Sequence, residues 1–183
     1  MIAKNVAAFK SSETATEPDA PSDLPAETGD STQDIGYEIR YATDDLISVE
    51  FSEDSYSRGA AHGNQLTSVL NYDVKNGKKL VLADLFNPKS NYLSVISAYC
   101  TRDLKQQAQK NKETMLSDDT IQSGASARTD NYKAWAITRK GLWITFDPYQ
   151  VAAYAAGPQY VLVPYSALKD IIKADGPLAG LAK

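Results

Sequence analysis

Two short apolar runs, each carrying a tryptophan, flank a polar break in the stretch YKAWAITRKGLWITF, residues 132–146. Each run is too short to hold itself as a helix, because nucleating a helix is costly and short ones do not repay it. A β-hairpin satisfies both runs, with Arg139-Lys140-Gly141 as its turn and Gly141 expected to supply the positive φ of a bulged connection. At least one of Trp135 and Trp143 must then be buried, since Ile137, Leu142, Ile144 and Phe146 make this hairpin a core element. A lone hairpin is marginal in water. The rest of the chain has to supply its partners.

Upstream, GYEIRYA alternates Tyr37, Ile39 and Tyr41, the period of a half-buried strand. DLISVEFSEDSY offsets Leu46 against Ile47, Val49 and Phe51, and Asp44-Asp45 makes the turn between these two strands. QLTSVLNYDV is a third strand. Asn76-Gly77 after it is a type I′ hairpin signal, in which both central residues need positive φ, and Leu80 and Leu82 are expected on a short return strand. Residues 91–109 read as a helix: Leu93, Ile96, Cys100, Leu104 and Ala108 line one face, and Ser90 is the expected N-cap. A single helical turn is expected around Ile121. PQYVLVPY gives a last strand, and SALKDIIKA a closing helix capped by Ser166. Four strands, helix, hairpin, strand and helix make an α+β domain, an antiparallel β-sheet with two or three helices packed on it.

The folded domain is expected over residues 35–175, with a tail at 176–183. Residues 1–10 carry a short helical pattern through Ile2, Val6 and Phe9. Residues 11–34, rich in Ser, Thr, Asp, Glu and Pro, hold one large aliphatic side chain, Leu24, and read as a flexible acidic linker, since such a stretch cannot bury enough apolar surface to offset its ordering entropy.

A net charge of −4 argues against nucleic acid, which needs a basic face. One cysteine, Cys100, excludes an internal disulfide, and one histidine beside it leaves too few N/S ligands for a structural zinc site. No cofactor or metal is expected. No run of about eighteen apolar residues exists to span a membrane, and MIAKNVAAFK is too short and interrupted for a signal peptide.

The only histidine, His62, lies in the small-residue loop SYSRGAAHGNQ. A catalytic base would need a nucleophile or an acid partner and a group to orient it. A histidine in such a loop more often serves the loop itself, by hydrogen bonding to backbone. A second loop, FDPYQVAAYAAGPQY, follows a hydrophobic strand with Asp147-Pro148, then places Tyr149 and Tyr154 among alanines. Tyrosine gives contact area at low entropy cost, so this loop is either a packed connection or a recognition surface. Eleven tyrosines and two tryptophans also suit stacking on sugar rings. Of the carboxylates for glycosidase work, Asp147, Asp84, Glu50 and Glu53, spacing singles out no pair.

Together, the Y-x-x-GAAH loop, NYDVKNGKKLVLADLF and GLWITFDPYQVAAYAAGPQYVLVPY resemble a bacterial extracytoplasmic domain family. It is the family found in the lysozyme-responsive anti-sigma factor RsiV and in the N-terminal, non-catalytic part of the peptidoglycan deacetylase PdaC. The resemblance covers residues 37–173 and departs from the usual Gly-Gly-Ala-His loop at Gly59-Ala60-Ala61-His62. It implies an exported α+β module that binds rather than catalyses, at the cell surface or in the periplasm, with a lysozyme-type protein or peptidoglycan as partner. The residues expected to bind are Tyr56, His62, Asp147, Tyr149 and Tyr154. Two other readings stand beside it: a cell-wall glycan hydrolase with His62 and Asp147 as acid/base pair, and a purely structural envelope domain.

Overall fold

The computed structural model describes residues 30–111 and 115–181. The helical pattern at 1–10 and most of the linker stretch lie outside the described residues. Strand β1 (Thr32–Ala42) begins inside the stretch expected as linker. It runs antiparallel to β2 (Leu46–Tyr56), which pairs with β3 (Asn64–Asp73), and β3 meets a two-residue β4 (Lys78–Lys79). Helix α1 (Tyr92–Lys110) and the short α2 (Asp118–Gly124) follow. A second antiparallel sheet, β5 (Trp135–Ile137), β6 (Gly141–Phe146) and β7 (Gln159–Pro164), completes an α+β fold of two sheets and two helices.

The hairpin of the two tryptophans is part of the core. Trp135 pairs with Ile144, and Ala136 with Trp143, so the two indoles face opposite ways: Trp135 is buried, while Trp143 is half-buried. Gly141 does not take the positive φ expected of it. It is glycine because a Cβ there would lie 2.2 Å from the Val163 carbonyl oxygen across the ladder. Helix α1 packs on β7 and buries Ile96, Cys100 and Leu104, the i, i+4, i+8 stripe. Burial pushes the Cys100 thiol far up, so it is an inert core residue.

The inward face of β2 is the reverse of the one its apolar residues suggest. Leu46, Ser48 and Glu50 are buried, and Ile47, Val49 and Phe51 are not. The reason lies in β5, an edge strand whose backbone groups need partners. Asn71 donates its side-chain amide to the Trp135 carbonyl at 2.8 Å, and the Ile137 N–H donates to Ser48 Oγ at 2.8 Å. Ser48 Oγ in turn donates to Asn71 Oδ1 at 2.6 Å. Side chains of the first sheet thus stand in for a missing strand beside the second.

Further expectations change. The turn after β3 closes with Gly77 N–H donating to the Val74 carbonyl; only Gly77 has positive φ, so it is not type I′. Leu80 and Leu82 are not on a strand but drop into the core beside a 3₁₀ turn at Leu82–Leu85. The C-terminal helix is a 3₁₀ turn at Tyr165–Ala167 followed by turns, with Ile172 forming a β-bridge to Phe86. A bridge holds extended backbone, so a helix cannot continue through Ile172. The cap of α1 is Asn91, not Ser90. Within the expected tail, Leu178 is fully buried.

Candidate functional site

The two loops singled out from sequence meet. The turn Asp147–Gln150 closes with the Gln150 N–H on the Asp147 carbonyl at 3.0 Å. Pro148 takes the second position, and Tyr149 the third with φ +70°. A turn with positive φ at that position favours Gly or Asn, so a tyrosine there carries backbone strain. The strained residue is held from its neighbour. Gln150 donates its side-chain amide to the carbonyls of Gly124 (3.0 Å) and Asn131 (2.9 Å), clamping the turn to the end of α2. Gly124 has to be glycine, since a Cβ would lie 1.8 Å from the Gln150 carbonyl oxygen. Sequence reasoning missed both residues. The clamp joins positions 26 and 19 apart, and no local pattern announces it.

Tyr149 is 64% exposed and places its hydroxyl 3.2 Å from His62 Nε2. His62 Nδ1 lies 2.7 Å from the Gly63 carbonyl and donates to it. That leaves Nε2 facing the Tyr149 hydroxyl, a group that can either donate to it or accept from it. The Tyr154 hydroxyl donates to the same Gly63 carbonyl at 2.5 Å, and its ring stacks on His62 with centroids 4.0 Å apart. Tyr149 and Tyr154 rings lie 5.4 Å apart. Three aromatic rings from two loops thus form one surface feature.

Asp147 and Tyr56 stand apart from it. Asp147 Oδ1 accepts the Thr67 N–H on β3 at 3.0 Å, tying the turn to the first sheet. Tyr56 ends β2 opposite Thr32, half-buried; among the described residues no hydrogen bond or ring contact joins it to the trio. Nor does a hydrogen bond join His62 to Asp147, the acid/base pair of the hydrolase reading. The other carboxylates are also engaged. Glu50 accepts from Arg40 and Thr145, Asp84 from Lys78 and the Val81 N–H, and Glu53 from Gln33. Among the described residues no group of three or more His, Cys, Asp or Glu gathers as a metal site.

Burial pushes the Asp147 carboxyl above the ordinary carboxylate range, with the nearby Glu50 adding to the rise; the Thr67 hydrogen bonds oppose it. A raised pKa means the folded state holds the proton more tightly than the unfolded one. Stability from this group is then full at low pH and falls as pH rises through the folded pKa. Asp147→Asn keeps an acceptor for Thr67 and removes the charge. Its stability relative to the parent should rise from about pH 4 to pH 7, followed by urea midpoints across that range. A constant difference would mean the carboxyl ionises without penalty.

Residues 83–166 match the family model described as "Protein of unknown function (DUF3298)". Over 139 residues, 76% of the chain, the sequence is 31% identical to the peptidoglycan-N-acetylmuramic acid deacetylase PdaC of Bacillus subtilis (strain 168), and covers 29% of that protein. Two crystal structures of DUF3298 proteins share the fold. One, from Bacteroides fragilis NCTC 9343, superposes with a TM-score of 0.65 at 18% identity, over 98% of this chain and 66% of its own. The other, from Pseudomonas aeruginosa PAO1, gives 0.60 at 23% identity, over 77% and 62%.

Proposed function

We propose, on the premise that this chain is a DUF3298 protein related to PdaC, that it is a non-enzymatic binding module of the bacterial cell envelope whose ligand is the glycan of peptidoglycan. One observation carries this reading: Tyr149 is held in a strained conformation and exposed, with its ring beside His62 and Tyr154. Strain of this kind persists only where surrounding structure enforces it, and it concentrates at binding sites. An exposed aromatic ring beside two others, with hydroxyls among them, suits a sugar, whose C–H face stacks on a ring while its hydroxyls hydrogen-bond at the edge. The relation to a peptidoglycan deacetylase supports the choice of glycan and an extracytoplasmic location. His62, with Nδ1 on Gly63 and Nε2 on Tyr149, orients this surface rather than acting as a base.

The test is co-sedimentation with purified peptidoglycan sacculi. The parent should pellet with them, and Tyr149→Gly should not. Glycine relieves the strain, so the same variant should be as stable as the parent or up to about 1 kcal/mol more stable in thermal melts. Binding lost without loss of stability marks a residue kept for its ligand. Sacculi left unbound by the parent, with lysozyme captured instead, would transfer the site to a protein partner. Sugar released by the parent and not by a folded His62→Ala would restore the hydrolase.

A further inference from the structure

At the other end of β1 lies a cleft of about 520 Å³, between Glu38–Ala42 and the β5–β6 turn. Its walls carry Arg40, Arg139 and Lys140 against a single carboxylate, Glu38, in a chain whose net charge is −4. Arg40 is held from below: Nη2 is 2.7 Å from the buried Glu50, and its guanidinium lies 4.6 Å over the Trp143 ring, which stacks on Tyr160. Arg139 sits over Tyr41, and neither it nor Lys140 forms an ion pair among the described residues. The remaining fork nitrogen of Arg40, Nη1, is taken by Glu38 at 2.8 Å. Glu38 is exposed, and a surface ion pair of this kind is weak and easily exchanged. Two N–H donors in the same lining, Arg40 Nε and Trp143 Nε1, are covered and have no acceptor among the described residues. Uncompensated buried donors are uncommon.

We infer that this cleft binds a carboxylate carried on a small apolar body, and that Glu38 occupies the carboxylate's place in the free protein. The incoming group displaces Glu38 from Arg40, gains Arg139 and Lys140 at its rim, and meets the Tyr41 and Trp143 side chains that line the cleft. Cationic charge with aromatic walls selects an anion with a hydrophobic side, and the arginine fork suits a planar carboxylate. In a cell wall that chemistry has two sources: the lactyl carboxylate of muramic acid that carries no stem peptide, and the C-terminal carboxylate of a stem peptide. The choice of these probes rests on the envelope reading above; the cleft itself does not, and it is distinct from the His62–Tyr149–Tyr154 surface.

The experiment is a titration of the ¹⁵N-labelled full chain, followed by ¹H–¹⁵N spectra. The chain has two tryptophans, so two indole N–H signals report, and Trp143 belongs to the cleft while Trp135 is in the core. N-acetylmuramic acid or D-alanyl-D-alanine, added to roughly 20 mM, where a Kd near 1 mM saturates, should move the Trp143 indole and leave Trp135 in place. N-acetylglucosamine, which lacks the carboxylate, should move neither. The acid that shifts the signal identifies the source. Glu38→Gln should bind about two- to fivefold tighter, since it frees Arg40. Arg139→Ala/Lys140→Ala together should weaken binding about tenfold. No shift with either acid, an equal shift with N-acetylglucosamine, or a Glu38→Gln variant that binds more weakly than the parent overturns the inference. Sacculi binding that survives Arg139→Ala/Lys140→Ala but is lost in Tyr149→Gly leaves the proposed function standing whatever the cleft does.

Discussion

Replacing Trp135 by alanine should destabilise the domain by about 3–5 kcal/mol, a large share of the ~5–15 kcal/mol that holds a typical domain folded. The residue is 4% exposed and belongs to the buried core, on a strand that packs against β1, β2 and β3 of the first sheet. Its carbonyl takes the Asn71 amide, so a shift of β5 into the vacated volume would strain that bond too. Trp143→Ala, on the opposite face of the same hairpin, should cost only about 1–2 kcal/mol, because half-burial removes less apolar surface from water. Urea unfolding of the two variants side by side checks the pair. Equal losses would mean that the assignment of core and outer face across this hairpin is wrong.

The second large effect is expected at Asn71. Asn71→Leu keeps the number and branching of the side-chain heavy atoms but leaves the Trp135 carbonyl without its donor and the Ser48 hydroxyl without its acceptor. Each buried group left unpaired costs about 1–3 kcal/mol, so the variant should lose about 2–6 kcal/mol. Ser48→Ala strips the Ile137 N–H of its partner. Because the two residues also bond each other, the double variant should lose less than the sum of the singles, with a coupling of about 0.5–3 kcal/mol. Strict additivity would show that the two side chains act separately, and an Asn71→Leu protein within about 0.5 kcal/mol of the parent would refute the role given to this seam.

This seam also explains what the sequence could and could not reveal. The strands were legible because alternation and turn residues are local signals, as at the Asp44-Asp45 turn; at Tyr37 and Ile39 alternation located the strand but not a buried face, since both side chains are exposed. The hairpin of Trp135 and Trp143 was legible for the same reason. The orientation of β2 was not. Alternation assigns the apolar side inward, yet Ser48 and Glu50 go in, because what they meet is an unsatisfied strand edge and a buried Thr145 hydroxyl rather than an apolar layer. That requirement comes from residues 89 and 95 positions away. The closing helix failed differently: Leu168, Ile171 and Ile172 have helical spacing, but Ile172 is drawn into a bridge with Phe86. At the site, residue types pointed to the right loops. The meeting of His62 with Tyr149 and Tyr154 spans 87 to 92 positions, and only the fold brings them together. The cleft beside Arg139-Lys140 carried no signal beyond a basic pair in a turn.

The region that matches the family model, residues 83–166, contains the whole of β5–β6–β7 and none of β1–β4. It therefore leaves behind the cover of its own sticky edge. Synthesis runs from the N-terminus, so Ser48 and Asn71 leave the ribosome well before Trp135 and Ile137 exist. The side of the first sheet that awaits them is hydrophilic at Ser48, Glu50 and Asn71, and can stand in water without recruiting a wrong partner. When the hydrophobic hairpin emerges, its template is already present on the same chain. The β5 edge, of the kind most prone to pairing between molecules, is thus made after the strands whose side chains cap it, and the order of the polypeptide lets the cover precede the edge it covers.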